Sequence, residues 1–343
     1  MGQRREQRKN EHVSLALNQD NHQQSDFDRI QFVHHAIPSI DVADVTLTSQ
    51  FPNLNVPHLL YINAMTGGSQ WTGEINEKLA YVAKNTGCAM AVGSMHAGIK
   101  NPNVRDSYKV VRRIHSDGQI WANVSADVSI EHTKKAIEMI EANALQIHVN
   151  APQELIMPEG SRSFKHWLSH IEALVKAIEI PVIVKEVGFG MSYETIEMLM
   201  HCGVKYVDVS GKGGTNFATI ENERRTMQNM DYLRDWGQST AVSLLEARNF
   251  SSKVHLLASG GIRHPLDAIK ALRLGAEAVG MSRNILLKVQ NEDINAAIEY
   301  VEQFKRQMQK VMTLLNVKNI NELRQVPIVL DPYLRGWMEQ RQL

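Results

Sequence analysis

Cysteine is scarce: Cys88 and Cys202 are the only two in 343 residues. A disulfide framework is therefore not indicated, and two reduced thiols suit a cytoplasmic protein. Charge of one sign is not in excess. Lys and Arg total 37, Asp and Glu total 37, and the formal net charge is zero. A general nucleic-acid binder needs a basic surface, so no nucleic-acid partner is expected, although a local basic patch for a small anion stays open. No stretch approaches about 18 uninterrupted apolar residues, so no membrane span is expected. The start, MGQRREQRKNEH, is basic and the chain stays polar through Gln24. With no apolar segment behind it, it does not read as a secretory signal. Low-complexity segments and linkers between domains are also missing.

What is present is a large core and a repeating order of elements. Hydrophobic residues make up 43% and charged residues 22%, ordinary globular values. Short runs rich in Val, Ile and Ala alternate with segments of helical period. Eight runs read as strands: Leu59–Asn63, Cys88–Gly93, Gln119–Val124, Ala144–Val149, Val182–Val187, Val204–Ser210, Val254–Ser259 and Ala276–Met281. Between them Thr72–Thr86, Ile130–Asn143, Phe164–Ile178, Ser192–Cys202 and Pro265–Leu274 read as helices. Pro265 stands at a helix start, and Gly203 and Gly275 stand past helix ends. Runs this apolar are buried on both faces, as in parallel sheets. The expected fold is α/β: a closed (β/α)8 TIM barrel with N-terminal and C-terminal extensions, in one domain over residues 1–343. Residues 1–58 would form an arm and cap, 59–289 the barrel, and 290–343 a helical extension. The β-prone stretch Ile37–Leu47 lies in the expected cap. A long amphipathic helix is expected over Asp293–Leu315, its apolar face turned to its own chain or to another subunit.

Function in such barrels sits at the C-terminal strand ends. Here every end is polar or glycine-rich. In order they read Ala64-Met65-Thr66-Gly67-Gly68; Gly93-Ser94-Met95-His96; Asn123; His148 with Asn150, Gln153 and Glu154; Lys185-Glu186; Asp208 through Asn216; Ser259-Gly260-Gly261-Ile262-Arg263; and Gly280-Met281-Ser282-Arg283. Glycines before helices after the last two strands expose backbone N–H groups that bind phosphate, or else simply make tight turns. Lys185 ends an apolar strand. It either makes a buried ion pair with Glu186 or Asp208, or faces the electron-rich edge of a flavin. Glu154 is either a solvated loop residue or a ligand for a hard cation such as Mg2+. The Arg8-Lys9-Asn10-Glu11-His12 stretch is either a mobile tail or an arm that folds over the barrel mouth and clamps a diphosphate.

Taken together, RKNEH, MTGG, GSMHAG, HVNAPQE, VKEVGFG, VDVSGKGGTNF, ASGGIR and GMSR run over almost the whole chain. They resemble the type 2, FMN-dependent isopentenyl-diphosphate isomerases. The resemblance implies interconversion of isopentenyl diphosphate and dimethylallyl diphosphate in isoprenoid biosynthesis, with FMN, Mg2+ and NADPH as the flavin reductant. It also implies a homo-oligomer, a tetramer or octamer. By position, Ala64, Met65, Thr66, Ser94, Asn123, Lys185, Ser210 and Thr215 would contact FMN. Gly261, Ile262, Arg263, Ser282 and Arg283 would lie at its phosphate. Arg8, Lys9, Ser94, Met95, His96 and Gln153 would hold the substrate, and Glu154 would bind the metal. Reduced FMN itself would be the catalytic group, with His148 and Gln153 nearby. One departure is visible: many relatives carry Gln-Arg where Met95-His96 stand here.

Moving the double bond adds a proton at C4 and removes one from C2, through a tertiary cation-like state that nearby negative charge stabilises. Two rivals compete. An FMN oxidoreductase of the nucleotide-dehydrogenase kind would need a loop cysteine, and one acting on 2-hydroxy acids would need a His base with carboxylate-gripping arginines. A non-catalytic phosphate-sensing barrel would not need polar residues at all eight strand ends.

Overall fold

The computed structural model describes residues 2–19, 25–49, 51–225 and 229–343, the side chains of 2–5 excepted. Eight parallel strands close a barrel in chain order. We number strands from the chain start. Strand β1 (Ile30–Phe32) lies outside the barrel. The barrel strands are β2 (Leu60–Ile62), β3 (Ala89–Ala91), β4 (Ile120–Ser125), β5 (Ala144–His148), β6 (Val182–Lys185), β7 (Tyr206–Asp208), β8 (His255–Ser259) and β9 (Ala278–Met281). The first and last pair directly, Leu60 with Val279 and Ile62 with Met281, which removes every sheet edge. All eight expected runs contain a strand, and the helices between them also form.

Strand side chains alternate, so each strand serves two cores. One face of the strands, including Leu60, Met90, Val124, Ile147, Val184 and Leu256, packs with the surrounding helices. The other fills the barrel with Tyr61, Ala89, Ala91, Trp121, Ala144, Ile183, Tyr206, Leu257 and Ala278. The alanines make room for Trp121 and Tyr61, whose rings lie 5.1 Å apart. Leu54 and Val56 from the N-terminal segment join this cluster. The plug is buried and mostly apolar, so anything bound in the barrel must sit above it.

Three features differ from the sequence expectation. Ile37–Leu47 forms no strand; its only regular element is a 3-10 turn at Val42–Asp44, and Ile37 is 86% exposed. The N-terminal strand falls earlier, at β1. It pairs antiparallel with β10 (Ile328–Leu330) and ties the two extensions together. The polar start is a helix, Gly2–Asn18. The long helix forms over Ile294–Leu314, capped by Asp293. Its apolar face is intrachain: Val301, Phe304, Met308 and Met312 are buried against the helices Pro265–Arg273 and Gln70–Thr86. The last helix, Pro332–Arg341, is latched by Glu246, which accepts from Trp337 Nε1 at 2.7 Å and Arg341 Nε at 2.9 Å. Among the described residues no helix is long and apolar enough to cross a membrane.

Candidate active site

The site grows out of the strand period. On six of the eight strands the inward position two residues beyond the plug turns polar: Tyr61 is followed by Asn63, Trp121 by Asn123, Ala144 by Gln146, Ile183 by Lys185, Tyr206 by Asp208 and Leu257 by Ser259; on the other two it is glycine, Gly93 and Gly280. All six polar side chains are buried. Asp208 accepts from Tyr61 Oη at 2.6 Å, Asn63 Nδ2 at 3.0 Å and Ser259 Oγ at 2.9 Å. The network satisfies groups that would otherwise be costly to desolvate, and it forms a rigid floor.

Above this floor lies a cavity of about 1070 Å³. One wall holds the Gly260-Gly261 half of the expected phosphate cradle, but its close partner is the loop after β7 rather than Gly280. The loops after β7 and β8 meet backbone to backbone: a Cβ on Gly214 would lie 3.1 Å from Gly261 N, and one on Gly213 3.0 Å from Gly261 Cα. Gly260 and Gly261 hold φ of +87° and +71°, a left-handed backbone that favours glycine. Ile262 and Ser282 complete this wall. Arg263 and Arg283 line it too, yet both are engaged. Arg263 donates to Asp28 and Asp267, and Arg283 donates to Ala16 O and Leu17 O at the end of the N-terminal helix.

The roof is that helix. Arg8, Lys9, His12 and Val13 face the cavity. Its anchor is Glu221, a wholly buried carboxylate on the helix Phe217–Glu223. Glu221 lies 3.0 Å from His12 Nε2 and accepts from Gln153 Nε2 at 2.8 Å and Arg224 Nη1 at 2.6 Å. Burial pushes this carboxyl up, but hydrogen bonds from His12, Gln153 and Arg224 outweigh it and hold it below its usual range. Arg224 also reaches Glu11 at 3.2 Å and Glu159 at 2.7 Å. Gln19 and Asn216 exchange two further hydrogen bonds.

Among the remaining expected residues, Ala64, Met65, Thr66, Ser94, His96, Asn123, His148, Gln153, Glu154, Lys185, Ser210 and Thr215 all line the cavity. Met95 does not. Its side chain is wholly buried in the apolar shell, while its amide donates to Asn123 O at 2.8 Å. Lys185 makes no ion pair with Glu186: its Nζ donates to the Glu186 carbonyl at 2.6 Å. The Glu186 carboxylate turns back to cap the amides of Val187, Gly188 and Phe189. Desolvation pulls the Lys185 ammonium down, against the fields of Asp208 and Glu186. His148 is held neutral, at about 3, by burial first and then by Lys185 and Lys9. Lys9 is lowered to about 8 by burial and by Arg8.

Residues that sequence reasoning passed over are Glu221, Arg224 and Gln146. Glu221 and Arg224 sit in FATIENERR, which has only the look of an amphipathic helix and its end. Gln146 does carry a signal, a polar side chain at the centre of an apolar run. Besides His12 Nε2, which meets Glu221 at 3.0 Å, three buried groups on cavity-lining residues have no partner among the described residues: Thr66 Oγ1, Asn150 Oδ1 and Arg8 Nε. Buried polar atoms are almost always satisfied, so three orphans aimed into one cavity indicate ligand positions. Thr66 Oγ1 and Arg8 Nε can donate and Asn150 Oδ1 can accept, a mixed set that suits a flavin mononucleotide, which carries both donors and acceptors. No cluster of three or more His, Cys, Asp or Glu side chains that could hold a metal occurs among the described residues.

A closed parallel barrel with a polar floor and a glycine cradle between the loops after β7 and β8 defines a phosphate-binding barrel enzyme. The family model described as FMN-dependent dehydrogenase matches residues 129–329, and this match makes the phosphate that of flavin mononucleotide. Solved structures share the fold. A mandelate oxidase variant superimposes with TM-score 0.66 at 16% identity, covering 93% of this chain and 92% of that one. A flavocytochrome b2 variant with pyruvate bound gives 0.67 at 22%, covering 91% and 78%. Closer in sequence, isopentenyl-diphosphate delta-isomerase of Staphylococcus aureus is 56% identical, over 99% of this chain and 97% of that protein. That of Staphylococcus epidermidis is 55% identical over the same shares. The chain belongs to the isopentenyl-diphosphate delta-isomerase family and is an isomerase of the FMN-dependent kind.

Proposed function

We propose that this enzyme interconverts isopentenyl diphosphate and dimethylallyl diphosphate in the cytoplasm by a 1,3-allylic proton shift, with reduced FMN, Mg2+, and NADPH as the source of flavin electrons. The observation that carries the reading is one cavity lined by a glycine cradle in its wall and by Arg8 and Lys9 in its roof, two places suited to separate anionic groups. Reduced FMN, when bound, supplies an electron-rich ring beside the alkene and a nitrogen able to carry a proton.

The chain's own residues do the rest. Thr66, Asn123, Lys185 and Ser210 would hold the ring, Lys185 as the cation at its electron-rich edge. The cradle of Gly213, Gly214, Gly260 and Gly261 would take the cofactor phosphate. Arg8 and Lys9 bind the substrate diphosphate far from the reacting carbons, so they supply orientation rather than chemistry. Gln153, fixed by Glu221, presents its amide beside that substrate. The helical roof excludes water, which protects a cation-like state from capture. Glu154 would hold Mg2+. Used as a single carboxylate ligand, it would leave the other positions to substrate oxygens and water, as Mg2+ prefers. Its oxygens are already oriented by Asn150 Nδ2 at 3.1 Å and the Ser161 amide at 2.6 Å.

Proton NMR of isopentenyl diphosphate incubated anaerobically with protein, FMN, NADPH and Mg2+ tests the reading. Dimethylallyl diphosphate should appear only when FMN is present. No product, with NADPH steadily consumed in air, would replace isomerase by oxidoreductase chemistry.

Two further results are expected. Protonated Lys9 binds diphosphate, and bound anion raises its pKa, so affinity holds below about pH 8 and falls as pH rises through that value. The kcat/KM profile should show this alkaline limb. Lys9→Ala should raise KM roughly tenfold or more, about the worth of one charge-assisted contact, and leave FMN affinity unchanged. Equal loss of both affinities would refute the roof assignment. Glu154→Gln should raise the Mg2+ concentration for half-maximal activity about tenfold or more, while the flavin titration stays as in wild type.

A further inference from the structure

The polar floor contains a directed chain of hydrogen bonds whose far end is His148. Asp208, as a carboxylate, only accepts, so the Asn63 atom 3.0 Å from it is the amide nitrogen. The Ala64 backbone N–H only donates, and it meets Asn63 Oδ1 at 2.8 Å. Two partners that cannot reverse thus fix the orientation of Asn63 independently. From there the polarity propagates. Asn63 Oδ1 accepts from Gln146 Nε2 at 3.0 Å. Gln146 Oε1 accepts from Asn123 Nδ2 at 3.1 Å. Asn123 Oδ1 then faces His148 Nδ1 at 2.7 Å. An amide oxygen opposite a ring nitrogen requires that nitrogen to carry the hydrogen.

We propose that Gln146 is a positioning residue: acting through Asn123, it holds His148 in the Nδ1–H tautomer and leaves Nε2 as the acceptor on the cavity-lining ring. Gln146 is wholly buried and does not itself line the cavity. Its role is therefore exerted at a distance of two hydrogen bonds. A neutral ring in this tautomer receives a donor, such as a hydroxyl or N–H of the bound ligands, or a proton. Anionic oxygens are left to Arg8 and Lys9. The inference concerns the chain's own groups and stands whether or not the substrate assignment does.

The test reads the tautomer directly. In FMN-loaded protein with 15N-labelled histidine, the His148 signals are those missing from His148→Gln. Wild type should show Nδ1 as the protonated, pyrrole-type nitrogen and Nε2 as the pyridine-type one. Gln146→Met keeps the volume but removes the link, and should populate the Nε2–H form to a readily visible share, with kcat/KM lowered roughly tenfold. Gln146→Glu, protonated in its buried place, can donate to Asn63 Oδ1 and still offers an oxygen to Asn123, and should retain the Nδ1–H form. An Nε2–H ring in wild type would overturn the proposal, whatever the variants do. So would an unchanged tautomer in Gln146→Met. Global damage is separated by the Gln146→Glu protein, since loss of packing alone predicts no difference in tautomer between the two variants.

Discussion

Gly260→Ala should abolish tight flavin binding. The new Cβ would lie 2.1 Å from the Gly211 carbonyl oxygen, and the residue would keep a φ of +87°. A left-handed non-glycine residue costs about 1–2 kcal/mol, and overpacking a rigid site costs about 1–3 kcal/mol more. The obstructing atom is backbone, so no side-chain rotation relieves it. Relief requires the loops after β7 and β8 to part, and these are the loops that form the phosphate cradle. We expect FMN affinity to fall about 100-fold or more, equivalent to about 2.7 kcal/mol, together with a lower melting temperature of the flavin-free protein. Gly336→Ala is the control. It lies in the exposed helix Pro332–Arg341 with nothing within 4 Å of its added Cβ. There alanine should stabilise, by up to about 1 kcal/mol. Wild-type flavin affinity in Gly260→Ala would mean that the cradle does not hold the cofactor phosphate.

Glu221→Ala should undock the roof. Removing this buried carboxylate strands Gln153 Nε2 and takes one partner each from His12 and Arg224. Breaking one side of a buried ionic cluster costs about 3–5 kcal/mol. The lower end applies here, because Arg224 keeps Glu159 and Glu11. The loss should be concentrated at the interface between the N-terminal helix and the barrel rather than spread over the fold. Hydrogen exchange should therefore quicken over residues 6–18 while the barrel strands stay protected. Activity should fall about 100-fold or more, because both diphosphate clamping and the setting of Gln153 are lost. Glu221→Gln keeps the shape but not the charge, and should fall between wild type and alanine. Unchanged exchange in the N-terminal helix of Glu221→Ala would show that other contacts hold the roof.

The barrel was legible because its strands must be buried on both faces. Val182-Ile183-Val184-Lys185 declares a buried strand and a polar end in four residues, and all eight expected runs contain such an element. The cavity wall was legible for a related reason: Gly260-Gly261 stand at a strand end where backbone must approach backbone, and Gly280 leaves room for the Tyr61 ring. The roof was legible only in part: Arg8 through His12 could be read as an arm over the barrel mouth, but not as a helix. Residues 2–18 carry few apolar positions, with Val13 buried and Leu17 packed at the edge of the core, so no hydrophobic period marks a helix. That helix is held by partners more than 190 residues away, through Gln19 with Asn216 and Glu11 with Arg224.

Sequence alone therefore determined the barrel, its order of elements and the strand ends that carry the site, because periodic burial is a local property written every second or every third to fourth residue. Tertiary structure decided which of the cavity's charges are free to act. It spent Arg263 on Asp28 and Asp267, kept Lys185 off Glu186, turned Met95 into the core, and linked Asp208 to His148 across four strands. Those outcomes depend on which side chains meet after the barrel closes and on how far burial shifts their charge states, and neither is encoded by spacing along the chain.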